Sequence, residues 1–314
     1  MPPARRSARL TERGIYGVLA LALGAAGVIP EFRAPDNLAN VATQSTALAV
    51  LALGQTFVIL GGLIDLSIGQ LAGLIVVVVC DAGAGRDAMA APAILLALGL
   101  GAGSGLVTGL LNNRLRIHPL ILTFGLMSVL QGVIFTYTDR SVGRVPPAIA
   151  WLADGRLLGL PVAPLLVLVL AAGAHLTLTR TRFGLHVHAV GGSRDNARRA
   201  GIDTERVVAS VFVISGLSAA VAGLLLAGRL GVGYPHAGAG FELDAIVAVV
   251  LGGTSLAGGR GSIAGTLAAV LLLGLASNVL NLLQISSFVQ MLLKGLIVIG
   301  AILVNQPGRR SAFA

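Results

Sequence analysis

The chain has 314 residues, of which 55% are hydrophobic and only 11% charged, and its mean hydropathy is +0.90. Soluble domains carry about 25% charged residues, so this composition excludes an ordinary soluble enzyme or receptor and makes lipid the solvent. The net charge of +9 does not point to nucleic acid, because the basic residues, all arginine except Lys294, sit in short segments between apolar runs.

A membrane crossing with its connection consumes about 20 to 25 residues, so the chain is expected to form one all-α polytopic domain over 1–314 with about ten transmembrane helices. Crossings are read at 14–30, 38–60, 68–82, 92–111, 119–137, 161–179, 207–228, 242–258, 263–283 and 287–304. Residues 1–13, with Arg5, Arg6, Arg9 and Arg13, precede the first. A cleaved leader there would leave an odd helix count and weaken the charge asymmetry, so an uncleaved helix is expected. Alternate connections collect Arg114 and Arg116, then Arg180, Arg182, Arg194, Arg198, Arg199 and Arg206, then Arg260, and finally Arg309 and Arg310 in the tail 305–314. The opposite side mixes Arg33, Arg86, Arg140, Arg144, Arg156 and Arg229 with acids, so both termini are expected in the cytoplasm. The third and eighth crossings are short enough to be broken or re-entrant.

Between the second and third runs stands Gly61-Gly62-Leu63-Ile64-Asp65-Leu66-Ser67-Ile68-Gly69. A carboxylate at membrane depth needs a functional or tightly paired environment. Asp65 either caps a helix starting near Leu66 or helps shape a transport path, and the two roles are compatible. Further on, Gly101, Gly105 and Gly109 recur every fourth position and give one smooth face for close helix packing. Pro119 suits the first turn of the helix that follows the interfacial His118.

A phosphate-binding loop requires a lysine that this chain does not supply: after Gly253-Thr254-Ser255-Leu256-Ala257-Gly258 comes Gly259. Neither a nucleophile–base pairing nor a His/Glu cluster is present, and Cys80 is the only cysteine. The chain is therefore not read as an enzyme, and no cofactor of its own is expected. Within the connection 180–206, Ser193-Arg194-Asp195-Asn196-Ala197-Arg198-Arg199-Ala200-Gly201 has the grammar of a short surface helix. Ser193 caps it, Asp195 sits in the first turn, Arg198 and Arg199 in the last, and Gly201 closes it. Such a helix is either a docking surface or a solvated basic loop that fixes topology.

Four blocks carry a family resemblance. Gly191-Gly192-Ser193-Arg194-Asp195-Asn196-Ala197-Arg198-Arg199-Ala200-Gly201-Ile202, preceded by Arg182-Phe183-Gly184, resembles the coupling-helix loop of the ribose/xylose/galactoside-type ABC importer permeases. Gly54-Gln55-Thr56-Phe57-Val58-Ile59 leading to Ile64-Asp65-Leu66-Ser67-Ile68-Gly69, His118-Pro119-Leu120-Ile121-Leu122-Thr123-Phe124-Gly125, and the stretch from Glu242 through Gly252-Gly253-Thr254-Ser255 to Ser262 are similar to three further blocks of that family. The resemblance spans about residues 38 to 304.

It implies a permease subunit of a bacterial inner-membrane importer that moves a pentose- or hexose-class monosaccharide. ATP and magnesium would be bound by separate cytoplasmic subunits, an extracytoplasmic binding protein would deliver the sugar, and a second permease subunit would complete the pathway. Ser193, Arg194, Asp195, Asn196, Arg198 and Arg199 would couple to the ATPase, and Asp65, Ser67, Asp244, Thr254 and Ser255 are candidates for the pathway or gate. The outer segment 138–160, with Val145-Pro146-Pro147 and Trp151, would face the binding protein, but no motif there fixes a sugar. Nucleoside, autoinducer and branched-chain amino-acid permeases share the scaffold. An ion-coupled secondary transporter would instead use Asp65, Asp244 and Lys294 as titratable groups and need no partner.

Overall fold

The computed structural model describes residues 30–115, 117–286 and 288–290, with isolated positions on either side. The expected first crossing at 14–30 and last at 287–304 fall largely outside the described residues, as do Arg116, Lys294 and both terminal segments.

The described chain is mostly helical. Helices α1 (Pro35–Gln44) and α2 (Thr46–Leu60) form one run bent at Ser45, whose hydroxyl donates to the Val41 carbonyl. They are followed by α3 (Ile68–Gly83), α4 (Ala90–Leu115) and α5 (Pro119–Tyr137). A short helix α6 (Pro147–Asp154) and a hairpin of β1 (Arg156–Leu157) and β2 (Leu160–Pro161) fill the next connection. Then come α7 (Val162–Arg180), α8 (Arg182–Gly192), α9 (Arg194–Arg199), α10 (Thr204–Leu230), α11 (Phe241–Leu251) and α12 (Ile263–Leu282).

Six helical segments among the described residues are long and apolar enough to cross a membrane: 35–60, 87–115, 119–137, 162–180, 204–230 and 263–282. The third expected crossing is a 16-residue helix. The eighth, expected over 242–258, is corrected: α11 has 11 residues and stops at Leu251, a rise of about 17 Å that falls short of a bilayer core.

Its end is built like that of α2. Gly62 takes φ +75°, its N–H reaches the Ile59 carbonyl, and the Leu63 N–H reaches Val58. Gly253 takes φ +88°, its N–H reaches Val250, and the Thr254 N–H reaches Val249. Both are Schellman ends, in which glycine adopts the left-handed turn that a side chain would resist. Leu60-Gly61-Gly62 and Leu251-Gly252-Gly253 are thus one device used twice, each followed by a serine and isoleucine that open the next helix, Ser67-Ile68 and Ser262-Ile263. The unit α2–α3 has a counterpart in α11–α12.

All of α2 is buried, as expected of a helix apolar on every side. It packs at the centre against α10, α11 and α12. The stripe Gly101, Gly105 and Gly109 lies against α10, where a Cβ at any of the three would collide with the backbone of Gly216, Phe212 or Ala209. This is the close packing expected of that stripe. By contrast α5 leaves Ile121, Phe124, Val129 and Val133 exposed.

Candidate functional site

Asp65 is 3% exposed and lies in the break between α2 and α3. One carboxylate oxygen accepts from the Ser67 N–H at 2.9 Å and from the Ser67 hydroxyl at 2.6 Å, and the other accepts from the Ser215 hydroxyl of α10 at 2.8 Å. With its amide oriented to satisfy both groups, the fully buried Gln55 of α2 donates to the Asp65 carbonyl and accepts from its N–H. Thr123 of α5 donates to the Ile64 carbonyl at 3.2 Å. Three helices therefore clamp this break, and Asp65 joins two of them.

The expected cap is present in altered form. Helix α3 starts at Ile68 rather than near Leu66, and the amide satisfied by Asp65 is that of Ser67, the residue that opens the helix. A carboxylate this fully buried and this well supplied with donors has the geometry of a structural tie.

Asp65 and Ser67 are brought together, and Thr254 and Ser255 occupy the second break. The buried Thr254 packs against Gly261, and Ser255 closes the loop by donating its N–H to the Arg260 carbonyl and accepting from the Ala257 N–H. Asp244 stands apart from these. It lies in the first turn of α11, ten residues before Thr254 and roughly 15 Å away along the helix.

The two breaks meet. The Leu60 carbonyl, orphaned by the end of α2, accepts from the Gly259 N–H at 2.9 Å. Gly258 lies on Gly62, and Gly191 near the end of α8 packs directly on the Leu60 carbonyl. His188 of α8 bonds the Gly259 carbonyl through Nδ1 at 3.2 Å. Helix α8 thus touches both broken ends.

Beyond α8, Ser193 accepts from the Asn196 N–H and opens α9, Asp195 occupies the first turn, and Arg198 and Arg199 the last. Gly201 takes φ +81°, with its N–H on the Arg198 carbonyl and the Ile202 N–H on Ala197, so the short helix ends as the sequence leads one to expect. Ala197 anchors its inner side, while Asp195, Asn196, Arg198 and Arg199 are exposed. Arg194 is only half-exposed. Burial, followed by the neighbouring Arg198 charge, lowers its pKa from the ordinary arginine value.

Gln55, Thr123, His188 and Ser215 were not singled out as site residues from sequence, and neither was Glu242. Glu242 is 8% exposed, accepts from the Gly240 N–H at 3.3 Å, and rests its other oxygen on Gly69 without a hydrogen-bond partner among the described residues. The signal was available, since Glu242 opens an apolar run much as Asp65 does.

The profile of the family described as branched-chain amino acid transport system / permease component matches residues 37–302. The chain belongs to this permease family. Among the permease's relatives, the ribose import permease RbsC of Escherichia coli strain K12 is 38% identical over 301 residues, covering 94% of each chain. The protein of the same name in Bacillus subtilis strain 168 is 40% identical over 283 residues, covering 88% of this chain and 87% of that one. The L-arabinose transport system permease AraH of Escherichia coli strain K12 is 33% identical over 299 residues, covering 93% and 90%. No solved structure matches the permease.

Proposed function

We propose that this chain is the membrane-spanning subunit of an ABC importer that carries a monosaccharide of the pentose or hexose class across a bacterial inner membrane. The observation that carries this reading is similarity along nearly the whole chain to permeases named for ribose and arabinose. The name of the family profile covers branched-chain amino acids, but the relatives at 33–40% identity point to the sugar branch.

In this reading α9 docks on a cytoplasmic ATPase through Ser193, Asp195, Asn196, Arg198 and Arg199, a binding protein docks on the opposite end near Trp151, and a second permease subunit completes the path. ATP with magnesium is held by the ATPase, whose closure switches the bundle between outward- and inward-facing packings. Asp65, Ser67, Thr254 and Ser255 hold the two breaks that such a switch would move, and Asp244 stands near the outer mouth. The arginine distribution supports ten crossings with both termini in the cytoplasm. Six of these are the long helices and two would come from 14–30 and 287–304; the remaining two are broken passages, one built on α3 and one on α11, which is too short to cross alone and needs the loop after Leu251 to complete it.

The test combines uptake with co-purification. Arg198→Glu with Arg199→Glu places acids at a helix C-terminus, a penalty of about 0.3–1 kcal/mol per site. It also removes the exposed Arg198–Glu205 contact of 3.8 Å, a pair of a kind worth about 0–1 kcal/mol. That is too little to unfold the bundle, so the variant should accumulate normally, lose most ribose uptake and retain less ATPase. Undiminished uptake and association would remove α9 from docking. Uptake that collapses with the proton gradient while ATP is held constant would favour an ion-coupled carrier instead.

A further inference from the structure

We infer that Arg194 and Asn113 form the joint through which movement of α9 enters the membrane bundle, a role that rests on the importer reading above. Arg194 Nη2 donates to the Asn113 side-chain oxygen at 2.9 Å, and the Asn113 amide nitrogen donates to the Glu205 carbonyl at 2.8 Å. One residue near the end of α4 is thereby clasped to α9 on one side and to the first turn of α10 on the other. Helices α4 and α10 interlock along the glycine stripe, where Gly101 and Gly216 each pack on the other's carbonyl. A displacement delivered to Asn113 therefore acts on a close-packed pair, and interiors packed this tightly transmit strain.

A second observation marks the joint as able to rearrange. Among the described residues, five buried side-chain polar atoms lack a hydrogen-bond partner, and one of them, Arg194 Nε, belongs to the joint itself, while two more, Asn112 Oδ1 and Thr204 Oγ1, belong to residues next in sequence to its other members. Asn112 neighbours Asn113, and Thr204 neighbours Glu205. Buried groups are nearly always paired, so the unpaired Arg194 Nε leaves this side chain a donor in reserve, which a second arrangement of the joint would use. A packed element with two hydrogen-bonding arrangements has the bistability that a coupling device requires. Arg194 is then a positioning residue that faces the bundle, whereas Arg198 and Arg199 face outward.

The test uses the complete transporter, permease with its ATPase and binding protein, in proteoliposomes, and reads ATP hydrolysed per ribose carried. Asn113→Ala should leave the complex assembled and basal hydrolysis unchanged while transport per ATP falls about tenfold, within the range of ordinary coupling energies. Asn113→Asp keeps the acceptor for Arg194 and adds charge assistance while losing the donor to Glu205, so it should retain coupling. Arg194→Gln combined with Asn113→Ala should be no worse than either alone. An unchanged transport ratio in Asn113→Ala, loss of ATPase binding by it, or additive losses in the double variant would each overturn the joint. Should Asn113→Ala fail to accumulate, the comparison of Arg194→Gln with Asn113→Asp decides, and equal loss in both overturns it. A wild-type complex that neither hydrolyses ATP nor carries ribose would instead sink the importer reading itself.

Discussion

Replacing Gly191 by alanine tests whether the two helix breaks and α8 are locked together by backbone contact. The site is helical with ordinary φ, so alanine would by itself favour the helix by about 1 kcal/mol. Its Cβ, however, would lie 2.7 Å from the Gly259 nitrogen and 2.8 Å from the Leu60 carbonyl carbon, and would overlap the Leu60 oxygen itself. All three neighbours are backbone, so no flexible side chain can swing aside. Overpacking of this kind costs about 1–3 kcal/mol. Prying Gly259 from Leu60 would also leave a buried donor and acceptor unpaired, at a further cost of about 1–3 kcal/mol. Subtracting the helix gain leaves a destabilisation of roughly 1–5 kcal/mol, concentrated where α8 meets the breaks. Gly192 supplies the control, because nothing lies within 4 Å of a Cβ there and the helix is the same. In detergent, thermal unfolding of Gly191→Ala should occur several degrees below that of Gly192→Ala, and monosaccharide uptake by the assembled transporter should fall only in the former. Equal melting and equal uptake in the two variants would refute the lock.

Asp65→Asn should retain far more uptake than Asp65→Ala, since the amide oxygen still accepts from Ser67 and the amide nitrogen can donate to the Ser215 hydroxyl; equal loss in both would show that the charge itself is needed, as in a proton-coupled carrier. With Cys80, fully buried in the core, first replaced by alanine, single cysteines at Arg198 and Arg144 should be labelled by an impermeant reagent only from the cytoplasmic and only from the outer side respectively. The reverse pattern would overturn the proposed topology.

Much of the bundle is legible because long uniform hydropathy is a strong signal. Crossings expected at 119–137, 161–179 and 263–283 meet helices at Pro119–Tyr137, Val162–Arg180 and Ile263–Leu282. The caps of α9 are legible because a capping serine and a closing glycine act within a few residues of themselves. The end of α11 is harder to read. Residues 252–258 are uncharged and, apart from Leu256, small, and hydropathy does not register that Gly253 turns left-handed, although Leu251-Gly252-Gly253 repeats the Leu60-Gly61-Gly62 that frames Asp65. The tie between Asp65 and Ser215 spans 150 positions and has no local sign, since a serine inside an apolar helix serves packing equally well. The same distance hides the meeting of Gly191 with Leu60, which depends on tertiary approach and not on any periodicity.

The doubled break also shapes the electric field inside the protein. At each break the negative end of one helix dipole, at Leu60 or Leu251, comes close in sequence to the positive end of the next, at Ile68 or Ile263. Opposed partial charges of about half an electron largely offset each other at range. A half-helix that presents one end alone attracts ions of one sign. Paired ends do not. The backbone at each break therefore adds little field of its own, and the charge that matters in the first is the Asp65 carboxylate, held by the Ser67 and Ser215 donors.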